Sequence, residues 1–202
     1  DIVDEGEGAI SLSPGNIMSN NLDLTDKTFI SWFKYHESPE IKICAGDLIF
    51  VKTGSSYGKL TIVDEEVSPM TINPQLVVMK NIKINTMFLY YALSAPYCQS
   101  QIDNIVIGGA TPTIGQEKLG NIRLLIPKQQ IQEEIVSYLN VKTKEIHNLI
   151  DQKQKLISLL KEYRTALINQ AVTKGLDPNV KMRDSGIEWL GEIPEHWDIK
   201  PL

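Results

Sequence analysis

The chain has 202 residues, 42% hydrophobic and 22% charged, enough for about one packed domain plus an accessory element. That composition excludes a collagen-like, mucin-like or largely disordered chain. With 20 Lys+Arg against 25 Asp+Glu the formal net charge is −5, which excludes a uniformly basic nucleic-acid coat but leaves room for a local basic edge.

Residues 1–127 come first, rich in Gly, Pro, Ser, Thr and Asn, with short β-prone runs. Asp47-Leu48-Ile49-Phe50-Val51 and Lys59-Leu60-Thr61-Ile62-Val63 flank a Gly/Ser turn, Thr53-Gly54-Ser55-Ser56-Tyr57-Gly58. Two such runs predict a hairpin with a longer loop. Asp64-Glu65-Glu66 reads as a solvated turn. Gln75–Met79 predicts another strand. Asn85 is placed to cap a helix over Met87–Leu93, and Pro96 to open a second one that Gly108-Gly109 closes. Ile122-Arg123-Leu124-Leu125-Ile126 predicts a last strand, ended by Pro127. The mixture is α+β, mainly β with short helices.

Residues 128–173 contain no Gly and no Pro. Steps of three and four pass through Leu139, Ile146, Leu149, Leu156, Leu160, Tyr163 and Leu167, with Lys142 and Lys153 between them. That is a long coiled-coil-type helix with an apolar seam, about 65–70 Å long, and the seam calls for a partner helix. Lysines at a seam can snorkel, and polar seam residues can fix register. His147 on this helix is expected to face solvent. Gly175 ends the helix, with Lys174 well placed at its C-terminus. Residues 174–202 then read as a linker and the start of a further domain, in which Trp189 and Trp197 are expected to pack rather than stack on bases. The chain starts at Asp1, and we expect it to be cut from a longer protein.

Chemistry-bearing signals are few. Cys44 and Cys98 belong to no CxxC pair, and His36, His147 and His196 are far apart, so no zinc site is expected. One disulfide stays open; two isolated cysteines fit a reducing cytosol at least as well. No apolar run approaches the ~18 residues of a membrane span, and the opening DIVDEGEG is no signal peptide. There is no GxGxxG, no G-x-S-x-G and no adenine-methylation motif, which Asn73-Pro74-Gln75 leaves incomplete. GSSYGK is too short for a phosphate-binding P-loop, and Leu60 follows the lysine where Ser or Thr is needed. Neither a catalytic set nor a cofactor is expected.

At this point the residues resemble a known family. Pro127-Lys-Gln-Gln-Ile-Gln-Glu-Glu-Ile, followed by a long helix ending in Tyr163-Arg-Thr-Ala-Leu-Ile-Asn-Gln-Ala-Val-Thr-Lys-Gly-Leu, resembles the conserved helical region of the specificity subunit of bacterial type I restriction–modification enzymes. Asp184-Ser-Gly-Ile-Glu-Trp-Leu-Gly-Glu-Ile-Pro-Glu-His-Trp is similar to the opening of a target recognition domain of that family. Gly46-Asp47-Leu48-Ile49-Phe50 with Thr53-Gly54-Ser55 and Gly58-Lys59 matches its strand–loop–strand element. The resemblance implies a target recognition domain at 1–127, truncated at its N-terminus. It implies a spacer or dimerisation helix at 128–173 and the start of a second recognition domain at 174–202. Each such domain would read half of a split sequence in double-stranded DNA. The subunit would do no chemistry itself. Its implied partners are modification subunits, which methylate adenine, and through them restriction subunits. The long helix would pair antiparallel with one from the missing second half or from a second copy. The expected compartment is the cytoplasm.

The expected DNA-binding residues are Lys52, Thr53, Ser55, Ser56, Tyr57, Lys59, Asn73, Gln75, Thr111 and Thr113. Glycines allow a close backbone approach, and lysines and N–H groups suit phosphate oxygens. Hydroxyls and Tyr57 suit base edges, and amides such as Asn73 and Gln75 suit adenine. Taken without the resemblance, the 52–59 loop is a solvated hairpin loop and Asn73–Gln75 a polar turn. Thr111 and Thr113 lie in a second small-residue loop, and Lys118 and Arg123 are further candidates for phosphate contact. Two other readings stay open: the recognition portion of a fused restriction enzyme and methyltransferase, or a structural coiled-coil interaction protein. The acidity is uneven. Residues 1–127 hold 9 Lys+Arg against 14 Asp+Glu, yet 52–59 has two lysines and no acid.

Overall fold

A computed structural model describes residues 2–18, 21–63 and 69–201 of the chain. The Asp64–Glu66 turn lies outside them. In chain order the elements are β1 (Ile2–Val3), β2 (Gly8–Leu12), β3 (Ile17–Met18), β4 (Asn21–Leu22), β5 (Phe29–Ser31) and α1 (Trp32–Glu37). There follow β6 (Leu48–Val51), β7 (Leu60–Ile62), β8 (Met70–Ile72), β9 (Leu76–Met79), α2 (Thr86–Ser94), α3 (Pro96–Ile105) and α4 (Gln116–Gly120). The last are α5 (Gln129–Lys174), β10 (Met182–Asp184) and β11 (Glu192–Pro194). The fold is α+β. By contacts the chain divides into two units, residues 1–139 and 140–202.

In the first unit β6 is the central strand. It pairs antiparallel with β7 on one side and β9 on the other, which gives the expected hairpin and the expected strand at 76–79. All four β6 residues are fully buried. Successive strand side chains point to opposite faces, so one strand serves two cores. Leu48 and Phe50 pack with Leu60, Leu89, Leu93, Ile102 and Ile114. Ile49 and Val51 pack on the other side with Leu12, Ile17, Met70 and Leu76. That second core is closed by a sheet of order β1-β5-β2-β8, in which β2 and β8 run parallel. The unbroken apolar run Leu-Ile-Phe-Val is the pattern of a strand buried on both faces.

The helices covering the first core begin and end as their sequences dictate. Asn85 Oδ1 accepts from Phe88 N at 2.9 Å and caps α2, and Pro96 opens α3. The α3 helix ends at Ile105, three residues before Gly108. The expected strand at 122–126 does not form. Backbone groups in this extended stretch are met by a side chain instead: Gln101 Nε2 donates to Arg123 O at 3.1 Å, and Arg123 N donates to Gln101 Oε1 at 3.0 Å. An apolar run signals an extended backbone but does not say whether a strand or an amide will satisfy it. The stretch leads into α5, whose Gln132 is buried. Gln132 Nε2 donates to Pro127 O at 2.8 Å, and its Oε1 accepts from Asn85 N at 3.0 Å. One amide therefore ties the first turn of α5 to the cap of α2.

The α5 helix has 46 residues, so it spans about 69 Å. Among the described residues most of its seam is uncovered. Ile146, Leu149, Leu156, Leu160, Tyr163 and Leu167 are each about half exposed, and Leu139 is half-buried. Lys142 Nζ lies 2.8 Å from Glu145 Oε2, and Lys153 borders a shallow apolar groove between Ile146 and Ile157. His147 is exposed on the helix, with Nδ1 2.7 Å from Thr143 O. Gly175, with φ +78°, stops the helix. Beyond it β10 and β11 form an antiparallel hairpin with Ile193 buried. Trp197 is half-buried close to Gly175. Trp189, expected to pack, is instead 84% exposed in the turn between β10 and β11, since a two-stranded hairpin has no core large enough to take an indole. Both cysteines are free, and burial pushes the Cys98 thiol above its ordinary range. Among the described residues no helix is long and apolar enough to cross a membrane.

Candidate nucleic-acid interface

Three pieces far apart in sequence meet at the end of the β6–β9 pair. The first is the start of the 52–59 loop, the second is 73–75, and the third is the loop 107–114. Lys52 N and Thr53 N both donate to Gln75 O, at 2.9 and 3.2 Å. Ile114 N donates to Lys52 O at 2.9 Å, and Gly54 N to Pro112 O at 2.9 Å. Thr53 and Thr113 form a β-bridge and bring their hydroxyl oxygens to 2.7 Å. Asn73 Oδ1 accepts from Gln75 N at 3.0 Å, and Asn73 Nδ2 donates to Gln75 Oε1 at 3.2 Å. The two amides thus form one unit, and Gln75 is exposed. Gln75 Nε2 and the second lone pairs of both amide oxygens retain the chemical capacity for further hydrogen bonds.

Both loops owe their shape to backbone geometry that favours glycine. Gly54 and Gly58 have φ of +106° and +84°, and the 52–59 loop closes through Tyr57 N to Gly54 O and Gly58 N to Val51 O. In the other loop Ile107 and Thr113 exchange two backbone bonds, and Gly108 has φ +105°. A Cβ at Gly108 would meet Thr111 O at 2.8 Å, so only glycine fits there.

The sequence-predicted residues do not all come to one place. Lys52, Thr53, Asn73, Gln75 and Thr113 are gathered at the junction just described. Ser55 and Thr111 are exposed on their loops, and Ser56 is half-buried. Tyr57 and Lys59 lie on the other flank and line a shallow depression with Tyr90, Ser94 and Gln99. Tyr57 Oη donates to Asp103 Oδ1 at 3.2 Å, and that hydrogen bond and the carboxylate's charge hold the phenol above its ordinary pKa. The carboxylate makes this flank a poor seat for phosphate. Arg123 is held through its backbone to Gln101.

Two side chains that no sequence motif singled out lie beside this junction. Lys34 on α1 and Gln116 at the start of α4 line an open cleft of about 420 Å³ together with Lys52 and Asn73. The available signal was Trp32-Phe33-Lys34-Tyr35-His36, a basic and aromatic run. In the structure Trp32, Tyr35 and His36 pack ring against ring, and Lys42 Nζ lies 4.4 Å from the Tyr35 ring centre. Among the described residues no three His, Cys, Asp or Glu side chains are grouped to hold a metal ion. The site offers neutral hydroxyls, amides and ammonium groups, which recognise and position rather than transfer protons.

Comparison with known proteins gives a consistent outcome. The profile of the family "Type I restriction modification DNA specificity domain" matches residues 12–158. The specificity subunit of the type I restriction enzyme MjaVIII from Methanocaldococcus jannaschii is 24% identical over 163 residues, which cover 81% of this chain and 36% of that protein. Among solved structures, a chain described in terms of complex assembly and conformational transition of the type I R-M system matches with a TM-score of 0.67 at 16% identity. The match covers 87% of this chain and 41% of that one. The S subunit of a type I restriction–modification system from M. genitalium matches with a TM-score of 0.44 at 16% identity, over 84% and 43% of the two chains. The matches therefore span less than half the length of each of these relatives.

Proposed function

Because the chain belongs to the family of type I restriction modification DNA specificity domains, we propose that it reads one half of a bipartite DNA target for a type I restriction–modification complex and performs no chemistry itself. The observation that carries the reading is the convergence of Thr53, Asn73, Gln75 and Thr113, from three separate segments, at one strand end. Amide pairs suit adenine edges, and threonines suit either a base edge or a thymine methyl group. Lys52 supplies charge beside them for the phosphate backbone.

In this reading residues 1–127 are the recognition domain, 128–173 the spacer helix, and 174–202 the lead into a second recognition domain. The α5 seam takes an antiparallel partner helix and helps dock modification subunits, through which restriction subunits join. The complex works in the cytoplasm. A full-length subunit assembled with its modification partner should protect a split duplex site. Replacing Gln75 and Thr113 together by Ala should weaken discrimination in one half of that site by about 1–3 kcal/mol and leave the other half intact. Unchanged discrimination in both halves overturns the assignment of this edge.

A further inference from the structure

The cleft beside the recognition edge has a composition that the chain as a whole does not. Its polar lining is Lys34, Lys52, Ser11, Ser38, Thr71, Asn73 and Gln116, over a floor that includes Ile41, Ile72 and Leu76. The lining includes two lysines and no carboxylate, in a chain with five more acids than bases. Among the described residues Lys52 makes no ion pair. Lys34 is paired with Glu37, but both side chains are about half exposed, where water screens such a pair and a phosphate can compete for the ammonium. Asn73 and Lys52 belong both to this cleft and to the recognition edge, so the two are continuous.

We propose that the cleft seats a backbone phosphate of the DNA duplex, gripped by Lys34 and Lys52, and so extends the interface from the recognition loops onto α1. This rests on the DNA-reading role proposed above. Lys34 positions the duplex and carries no base information, so its loss should change affinity and salt dependence and leave the recognised sequence alone.

The test uses the full-length subunit assembled with its modification partner and a duplex carrying its mapped site. Lys34→Gln should lower the magnitude of the slope of log affinity against log salt by about 0.9. The ratio of wild-type to variant affinity should then fall by about 3.5-fold between 50 and 200 mM salt. Lys34→Arg should restore the slope. A single methylphosphonate replacement in the duplex should weaken the wild type more than it weakens Lys34→Gln, in which Lys52 alone still holds that phosphate, and so locates the phosphate. If the wild type binds its site selectively while Lys34→Gln keeps the full slope, the cleft is not a phosphate seat and the DNA-reading role stands. If the wild type shows no preference for any duplex, the DNA-reading role fails and this proposal with it. Inorganic phosphate is titrated separately at constant ionic strength. Its saturation of the cleft with no change in the duplex slope would assign the cleft to a free anion and overturn the proposal.

Discussion

Asp47 shows how a single residue fastens the β6–β9 pair at the end opposite the Lys52–Gln75 junction. Its side chain is nearly buried; Oδ2 accepts from Cys44 N at 2.9 Å and pairs with Lys80 Nζ at 2.7 Å. Lys80 Nζ also donates to Lys42 O. The pair joins the approach to β6 to the end of β9. Removing one partner of a buried ion pair leaves an uncompensated charge. Lys80→Met should therefore destabilise the fold by about 2–3 kcal/mol, below the range for fully buried pairs because the lysine keeps some solvent contact. Chemical denaturation of the two single variants and of Lys80→Met with Asp47→Asn gives the check: the double variant should lose less than the sum of the singles. Additive losses would mean that the two groups do not support one another. Asp47 stands in the Gly46–Phe50 motif, but its pairing with Lys80 was not legible, since an Asp and a Lys 33 positions apart carry no pattern.

Among the elements, α5 was the most legible because its signal repeats. A seam sustained over many turns fixes both the helix and the face that needs covering. The ends agree to one residue, 129–174 against the expected 128–173. The β6–β7 hairpin and the α2 cap were legible for a related reason: Gly/Ser turn chemistry and an Asn cap act locally. The stretch 122–126 misled because strand formation depends on a neighbour, and the neighbour is the Gln101 amide. The meeting of Thr53 with Thr113, and the placing of Lys34 and Lys52 along one cleft, were not legible at all. Contacts between segments so far apart in sequence follow from the sheet topology, which no short motif encodes. Leu149→Lys with Leu156→Lys in the full-length subunit should leave helix content by circular dichroism nearly unchanged and should abolish assembly with modification subunits. Assembly at wild-type strength would show that this seam is not the joining surface.

For the whole molecule, the net charge of −5 meant only that a DNA-facing surface had to be local. Among the described residues Lys52 stands without an ion-pair partner, and it shares its cleft with Lys34, whose partner Glu37 is half exposed. Two such groups give weak phosphate attraction, so tight binding should come from the assembled complex rather than from this chain alone. In the proposed function specificity is a separate property and belongs to the three-segment edge. Mapping modified adenines in cells tests that most directly, with the full-length gene intact and with residues 52–59 and 107–114 exchanged together for those of another member of the family. One half of the split site should change and the other half should stay. Methylation of the original sequence in both halves after the exchange would contradict it.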